Sequence, residues 1–186
     1  MTIAPPITAT IDNVIDGEER PAAGGATFVK HAPATGAVLS QVARSDRRDV
    51  EVAISAAVVS QPAWAARPVV ERGRILRAVA QLLERDREEV AAIVAAETGK
   101  SPKDACGETD GAIEMGYFVA GEGRRSYGRT IPSATPNRQG MTIRQPLGVA
   151  GLIIAANTPI ANVAWKVFPA LLCGNSAVLK ASEDTP

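Results

Sequence analysis

Apolar positions recur at helical spacing through the middle of the chain and at strand spacing towards both ends. Ile75, Leu76, Val79, Leu82 and Leu83 form a stripe at i, i+1, i+4, i+7 and i+8, which predicts a helix opening near Pro68, with Arg72, Arg74 and Arg85 mostly off the stripe. Before it, Val50, Ile54, Ala57 and Val58 share one helical face. Ser45 is the expected cap of that helix, Asp46 and Asp49 suit the positive end of its dipole, and Pro62 is its expected end near Gln61. Asp86 and Glu89 have capping-box spacing for a third helix, with Val90, Ile93 and Val94 inward and Gly99 as its C-terminal cap. Ser101-Pro102 reads as an N-cap followed by proline at the first helical position, so a fourth helix should carry Ile113, Tyr117 and Ala120 to about Arg125.

Extended segments flank this helical block. Residues 1–9 read as a loose arm. Asp16-Gly17 is a type I′ hairpin signal between short strands. An extended run from Ala26, a turn at Pro33 and Gly36, and an alternating strand over Val38 to Val42 follow. "YGRTIPSATPNRQGMTIRQPLG" predicts two extended segments joined by a turn near Pro136 to Gly140. From Gly148 to Ala155 the chain is apolar at nearly every position, as in a parallel strand covered on both faces. A helix from Ile160 to Leu172, a stop at Gly174 and a strand over Ser176 to Lys180 complete a strand–crossover–strand unit. The fold class is therefore α/β.

Composition narrows the function classes. The chain has 186 residues, 46% hydrophobic and 22% charged, with a formal net charge of +0. No basic face stands out, so neither nucleic acid nor a membrane surface is an expected partner, and Arg47-Arg48 and Arg124-Arg125 read as solvated surface. Cys106 and Cys173 show no C-x-x-C spacing, which argues against a zinc site or a disulfide scaffold and fits a reducing, cytoplasmic setting. The N-terminus lacks the basic and apolar parts of a signal peptide. The longest near-apolar run, Pro146 to Ala156, is well short of the ~20 residues of a spanning helix.

Several residues invite chemistry. Gly99-Lys100-Ser101 resembles a phosphate loop, but that motif needs a glycine where Val94 stands, so a helix end and a new cap explain it better. His31, the single histidine, is read as structural, and no histidine-based triad is possible. Cys106 lies near a helix N-terminus but beside Asp104 and Glu108; Cys173 ends an apolar helix and is expected buried and inert. Asn157-Thr158-Pro159 follows the first parallel strand, at the edge where open α/β sheets place ligands. Its amide could stabilise an oxyanion, or the segment could be a plain Asx-Pro turn. Lys180 and Glu183 sit at the matching edge of the second strand, where a dinucleotide ribose or merely solvent would meet them.

These residues carry a resemblance. Pro146, Gly148, Val149, Asn157, Pro159, Trp165-Lys166, Pro169-Ala170-Leu171, Gly174-Asn175, Lys180, Glu183 and Thr185-Pro186 follow in order the pattern of the aldehyde dehydrogenase superfamily. "APATGAVLSQVA", "ERGRILRAVAQLLERDREEVAAIVAAETGK" and "GAIEMGYFVAGEG" are similar to its upstream segments, so the resemblance covers residues 10–186. It implies NAD(P)-dependent oxidation of an aldehyde to an acid through a cysteine thiohemiacetal, hydride transfer and glutamate-assisted hydrolysis. By position, Asn157 matches the oxyanion asparagine, Lys180 and Glu183 the residues that hold the adenosine ribose, and Ile154, Ala155 and Ala156 the cofactor-lining loop. Two departures are visible: Ala155-Ala156 where Pro-Trp is common, and Thr158 in place of phenylalanine. The family's nucleophilic cysteine and catalytic glutamate match positions beyond Pro186.

The resemblance therefore implies the N-terminal portion of such an enzyme, inactive alone. Residues 1–127 would hold the N-terminal strands and the helical part of an incomplete Rossmann-type cofactor domain. Residues 128–146 would form an oligomerisation β-hairpin, and 147–186 the first βαβ unit. NAD or NADP is the implied cofactor, and the acidic Glu183 tips the choice slightly to NAD. A homo-oligomer and a small aldehyde substrate are implied partners. The competing reading is a non-catalytic interaction module that adds its hairpin to a full-length dehydrogenase.

Overall fold

The computed structural model describes residues 10–186; the arm expected over residues 1–9 lies outside the described residues. β1 (Thr10–Ile11) pairs parallel with β5 (Val38–Ala43), which pairs antiparallel with β4 (Thr27–His31). β2 (Asn13–Ile15) and β3 (Glu18–Arg20) form the expected hairpin. Its turn residues Asp16 and Gly17 both have left-handed φ, 56° and 78°, as a type I′ turn requires.

α1 (Arg47–Ala65) differs from expectation at both ends. Asp46, not Ser45, is the cap. Its carboxylate accepts from the backbone N–H of Arg48, and Asp49 returns a bond to the N–H of Asp46 at 2.9 Å. Hydrogen bonding from Arg48 holds the Asp46 carboxyl below its ordinary range. Ser45 instead donates to Asn13 at 2.7 Å, tying the hairpin to the helix start. The helix also runs through Pro62. Tertiary bonds override the proline: Gln61 Nε2 donates to the carbonyl of Gly174 at 3.1 Å and Trp64 Nε1 to that of Leu171 at 2.8 Å. Of the expected inner face only Ala57 is buried, while Val50, Ile54 and Val58 are exposed.

α2 (Val69–Arg85) buries Arg72, Gly73, Leu76 and Ala80, so the true inner stripe is rotated from the one read in the sequence, and Ile75, Val79 and Leu82 face outward. The surprise is Arg72. Its guanidinium donates to the carbonyls of Leu172 at 2.9 Å, Ala65 at 3.1 Å, and Arg67. Leu172 and Ala65 close two helices, so one buried cation serves two negative dipole ends. Burial pulls its pKa below the ordinary arginine value.

α3 (Arg87–Thr98) lacks the expected capping box, because Asp86 spends its carboxylate on an ion pair with Arg85 at 2.6 Å. Gly99 does end α3 in the left-handed region at φ 75°. α4 (Pro102–Gly121) is capped by Ser101, whose Oγ accepts from the N–H of Asp104 at 3.1 Å, and a single 3₁₀ turn, Glu122–Arg124, extends it.

β6 (Thr130–Pro132) and β7 (Gln139–Met141) form an antiparallel ribbon. At its base a Cβ on Gly128 would lie 1.7 Å from the Thr142 carbonyl, so only glycine allows that approach. β8 (Val149–Ile153), α5 (Pro159–Leu172) and β9 (Ser176–Lys180) form the last unit, with β8 and β9 parallel from Val149 opposite Ser176 to Ile153 opposite Lys180. The main core lies between α2, α4 and α5: Leu76, Ala80, Ala112, Val119, Ala164, Phe168 and Leu172. A smaller one joins α3 and α4 through Ala91, Val94 and Ala105.

Candidate functional site

The parallel register decides where the candidate residues emerge. Ile153 faces Lys180 across the pair, and the Ile154 N–H donates to the Lys180 carbonyl at 3.0 Å. Both strands therefore end on one rim. The opposite ends are pinned by Asn175, whose Oδ1 accepts from the N–H groups of Leu147 at 2.7 Å and Gly148 at 3.0 Å while its Nδ2 donates to Ala170 at 3.0 Å.

On the rim, Ile154 is buried, Ala155 and Asn157 are exposed and Ala156 is half-buried. Lys180 and Glu183 are exposed and paired at 3.0 Å. A hydrogen bond from its own backbone, then Lys180, holds the Glu183 carboxyl below its ordinary range. Ala156 and Asn157 also line a cleft of about 440 Å³, shared with Lys30, Pro33, Glu97, Thr98, Lys100, Asp184 and Thr185. Lys180 and Glu183 are not among its walls, so the candidates share one edge but not one pocket.

Inside the cleft, Lys30 is buried and donates to the Glu97 carbonyl at 2.9 Å. Burial pushes the Glu97 carboxyl above its ordinary value, with the Lys30 charge opposing. Beneath the Asn157 loop, the Lys100 ammonium bonds both the Asn157 carbonyl and the Glu108 carboxylate. The other oxygen of Glu108 accepts from the N–H groups of Ile160 at 3.0 Å and Ala161 at 3.4 Å. Sequence reading missed Lys100 and Glu108 because no periodicity links Lys100 to Asn157, which lies 57 positions away. The one available signal was the Gly99-Lys100 stretch, whose glycine does form a helix cap.

The other candidates make no hydrogen bond to the rim residues among the described contacts. His31 donates its Nδ1–H to the Gly36 carbonyl at 3.0 Å, within its own turn. Cys173 is exposed rather than buried, because α5 ends as Gly174 turns the chain away. Cys106 is half-buried. Among the described residues no cluster of three metal-ligating side chains exists, and no helix is long and apolar enough to cross a membrane.

Against known proteins, the family described as "Aldehyde dehydrogenase family" matches residues 20–186. The chain is 38% identical over 189 residues to the mitochondrial benzaldehyde dehydrogenase of Antirrhinum majus, covering 99% of this chain and 35% of that protein. It is 38% identical over 176 residues to the malonate-semialdehyde dehydrogenase of Halalkalibacterium halodurans, covering 95% and 36%. Among solved structures, an aldehyde dehydrogenase from Brucella melitensis biovar abortus 2308 superposes with a TM-score of 0.92 at 31% identity, over 97% of this chain and 37% of that one. An NAD-dependent aldehyde dehydrogenase from Sinorhizobium meliloti gives a TM-score of 0.90 at 32% identity, over 98% and 38%. A 3,6-anhydro-L-galactose dehydrogenase solved with NAP gives 0.90 at 31%, over 95% and 37%. The chain thus spans about a third of the length of the curated relatives it matches.

Proposed function

The chain belongs to the aldehyde dehydrogenase family, and from that premise we propose that it forms the cofactor- and oxyanion-side part of an enzyme that oxidises an aldehyde to a carboxylic acid with NAD(P)⁺. The observation that carries this reading is the common rim of β8 and β9, with the Asn157 loop on one strand end and the Lys180–Glu183 pair on the other. Asn157 donates its amide N–H to the oxygen that becomes negative when a nucleophile adds to the aldehyde. Lys180 donates to ribose hydroxyls and Glu183 accepts from them. Ile154, Ala155 and Ala156 carry the cofactor edge, and the small alanines leave their backbone open to a ligand. When bound, NAD(P)⁺ would supply the hydride acceptor. The nucleophilic cysteine and the hydrolytic glutamate belong, in this reading, to the further length that the relatives possess, so the chain alone turns over no aldehyde.

Cofactor choice follows from charge. Glu183 already neutralises Lys180, so a 2′-phosphate would meet no net positive charge at the ribose, and NAD is favoured over NADP. The division into residues 1–127, an association hairpin over 128–146 and the unit 147–186 is part of the same reading. Among the described residues the β6–β7 ribbon pairs only with itself, so its outer edges are open for a second copy.

Titration with NADH and NADPH, followed by nicotinamide fluorescence, tests the assignment. NADH should bind more tightly, and Lys180→Ala should weaken it about tenfold, the loss of one charged hydrogen bond. An unchanged affinity in Lys180→Ala would overturn the placement of the ribose.

A further inference from the structure

Glu108 is a carboxylate on α4 whose side chain is only 5% exposed. A charge so placed is costly unless every oxygen is partnered. Here both oxygens are: one takes the Lys100 ammonium, the other the N–H groups of Ile160 and Ala161. Those two donors belong to the first turn of α5, where helices leave N–H groups without partners. Thr158, at the cap position, makes no capping bond with its side chain, and Pro159 has no N–H to offer. The start of α5 is therefore capped from a different helix. Lys100 completes the arrangement with a bond to the Asn157 carbonyl. It stands there because Gly99, at φ 75°, turns the chain between α3 and α4.

The segment Asn157-Thr158-Pro159 is thus held at both ends by one ion pair: Lys100 binds the carbonyl of its first residue and Glu108 the N–H groups just after it. We propose that Lys100 and Glu108 are positioning residues that set the direction of the Asn157 carboxamide. This rests on the oxyanion reading of Asn157 given above. Neither residue touches the reacting atoms. Their effect is to keep the Asn157 backbone from rotating, so the amide donor is preorganised before charge develops.

The test uses the complete dehydrogenase carrying this segment, with Lys100→Met, Lys100→Arg, Glu108→Gln, the double variant Lys100→Met/Glu108→Gln, and Asn157→Ala as reference. Lys100→Met should lower kcat about 10- to 100-fold, the size expected when a catalytic group is slightly misplaced. KM for the cofactor should stay unchanged, and Lys100→Arg should recover most of the loss. If Glu108→Gln does not fold, the double variant, which removes both charges together, carries the test. A fall in Asn157→Ala with kcat within twofold of the parent in Lys100→Met and the double variant would overturn the positioning role and leave the oxyanion reading standing. If Asn157→Ala itself retains kcat, the oxyanion reading fails, and amide hydrogen exchange of Ile160 and Ala161 in the 186-residue chain then decides. Faster exchange in Lys100→Met supports the backbone clamp, and unchanged exchange refutes it.

Discussion

The helical block and the two-stranded unit beside it treat apolar side chains in opposite ways. Between α2, α4 and α5 the packing closes: Ala80 and Ala112 are fully buried and Phe168 is 5% exposed. On β8 and β9 it does not: Ile153 is 70% exposed and Leu179 is also open. α5 belongs to both regions. It turns Ala164, Phe168 and Leu172 into the core and Trp165 outward. The difference teaches that apolarity alone does not set burial here; facing partners do. Stability resides in the helices, and the chemistry proposed for this chain sits on the rim of the less covered sheet.

The sharpest way to break that contrast is Phe168→Ala. The ring fills the space that Gly116 leaves, since a Cβ on Gly116 would lie 3.0 Å from both Ala80 Cβ and Phe168 Cε1. Removing it creates a cavity at the crossing of three helices, so the loss should be about 3–5 kcal/mol in denaturant unfolding. A loss below about 1 kcal/mol, the usual scale of a peripheral substitution, would mean that the helical block is not where the stability lies.

The sequence showed the order of elements well where local chemistry is decisive. Asp16-Gly17, Gly99 and Ser101-Pro102 each dictate a backbone conformation by themselves, and each is found where expected. The parallel pair of β8 and β9 was also legible, because uninterrupted apolar runs around a helix have few other solutions. What was not legible depends on distant partners. The α1 stripe of Val50, Ile54 and Val58 satisfies helical periodicity, yet only Ala57 finds a neighbour to bury it. Arg72 reads as surface by type but is drawn inward by carbonyls at two helix ends. Asn157, Lys180 and Glu183 could be named as rim residues from spacing. Lys100 and Glu108 could not, because their partners lie across three elements.

Between core and sheet face lies the cleft, and Glu97 probes it at intermediate cost. Burial raises its carboxyl pKa in the fold, so the folded state binds the proton more readily than the unfolded chain. The associated stability is fully present below the ordinary carboxylate value of 4.5 and is lost as pH rises through the folded value. Glu97→Gln removes the ionisable form. Its melting midpoint should exceed the parent's at pH 8, by on the order of 1–2 °C for a chain of this size, and the gain should vanish near pH 4. A gain that is the same at both pH values would show that the carboxyl is not held against its charge.

The smallest effect is expected on the sheet, and its smallness is the point. Ile153→Thr keeps the β-branch, so strand propensity hardly changes. Ile153 is engaged through its backbone, not its side chain: its carbonyl accepts from the Lys166 ammonium, and its register partner is Lys180. Only an apolar surface already in water is replaced. Unfolding free energy should therefore move by no more than about 0.5 kcal/mol, while the concentration at which the chain aggregates should rise. If Ile153→Thr instead cost several-fold more, and more at high protein concentration than at low, the face would be covered by another copy in solution. The two regions would then differ in which chain supplies the cover, not in whether they are covered.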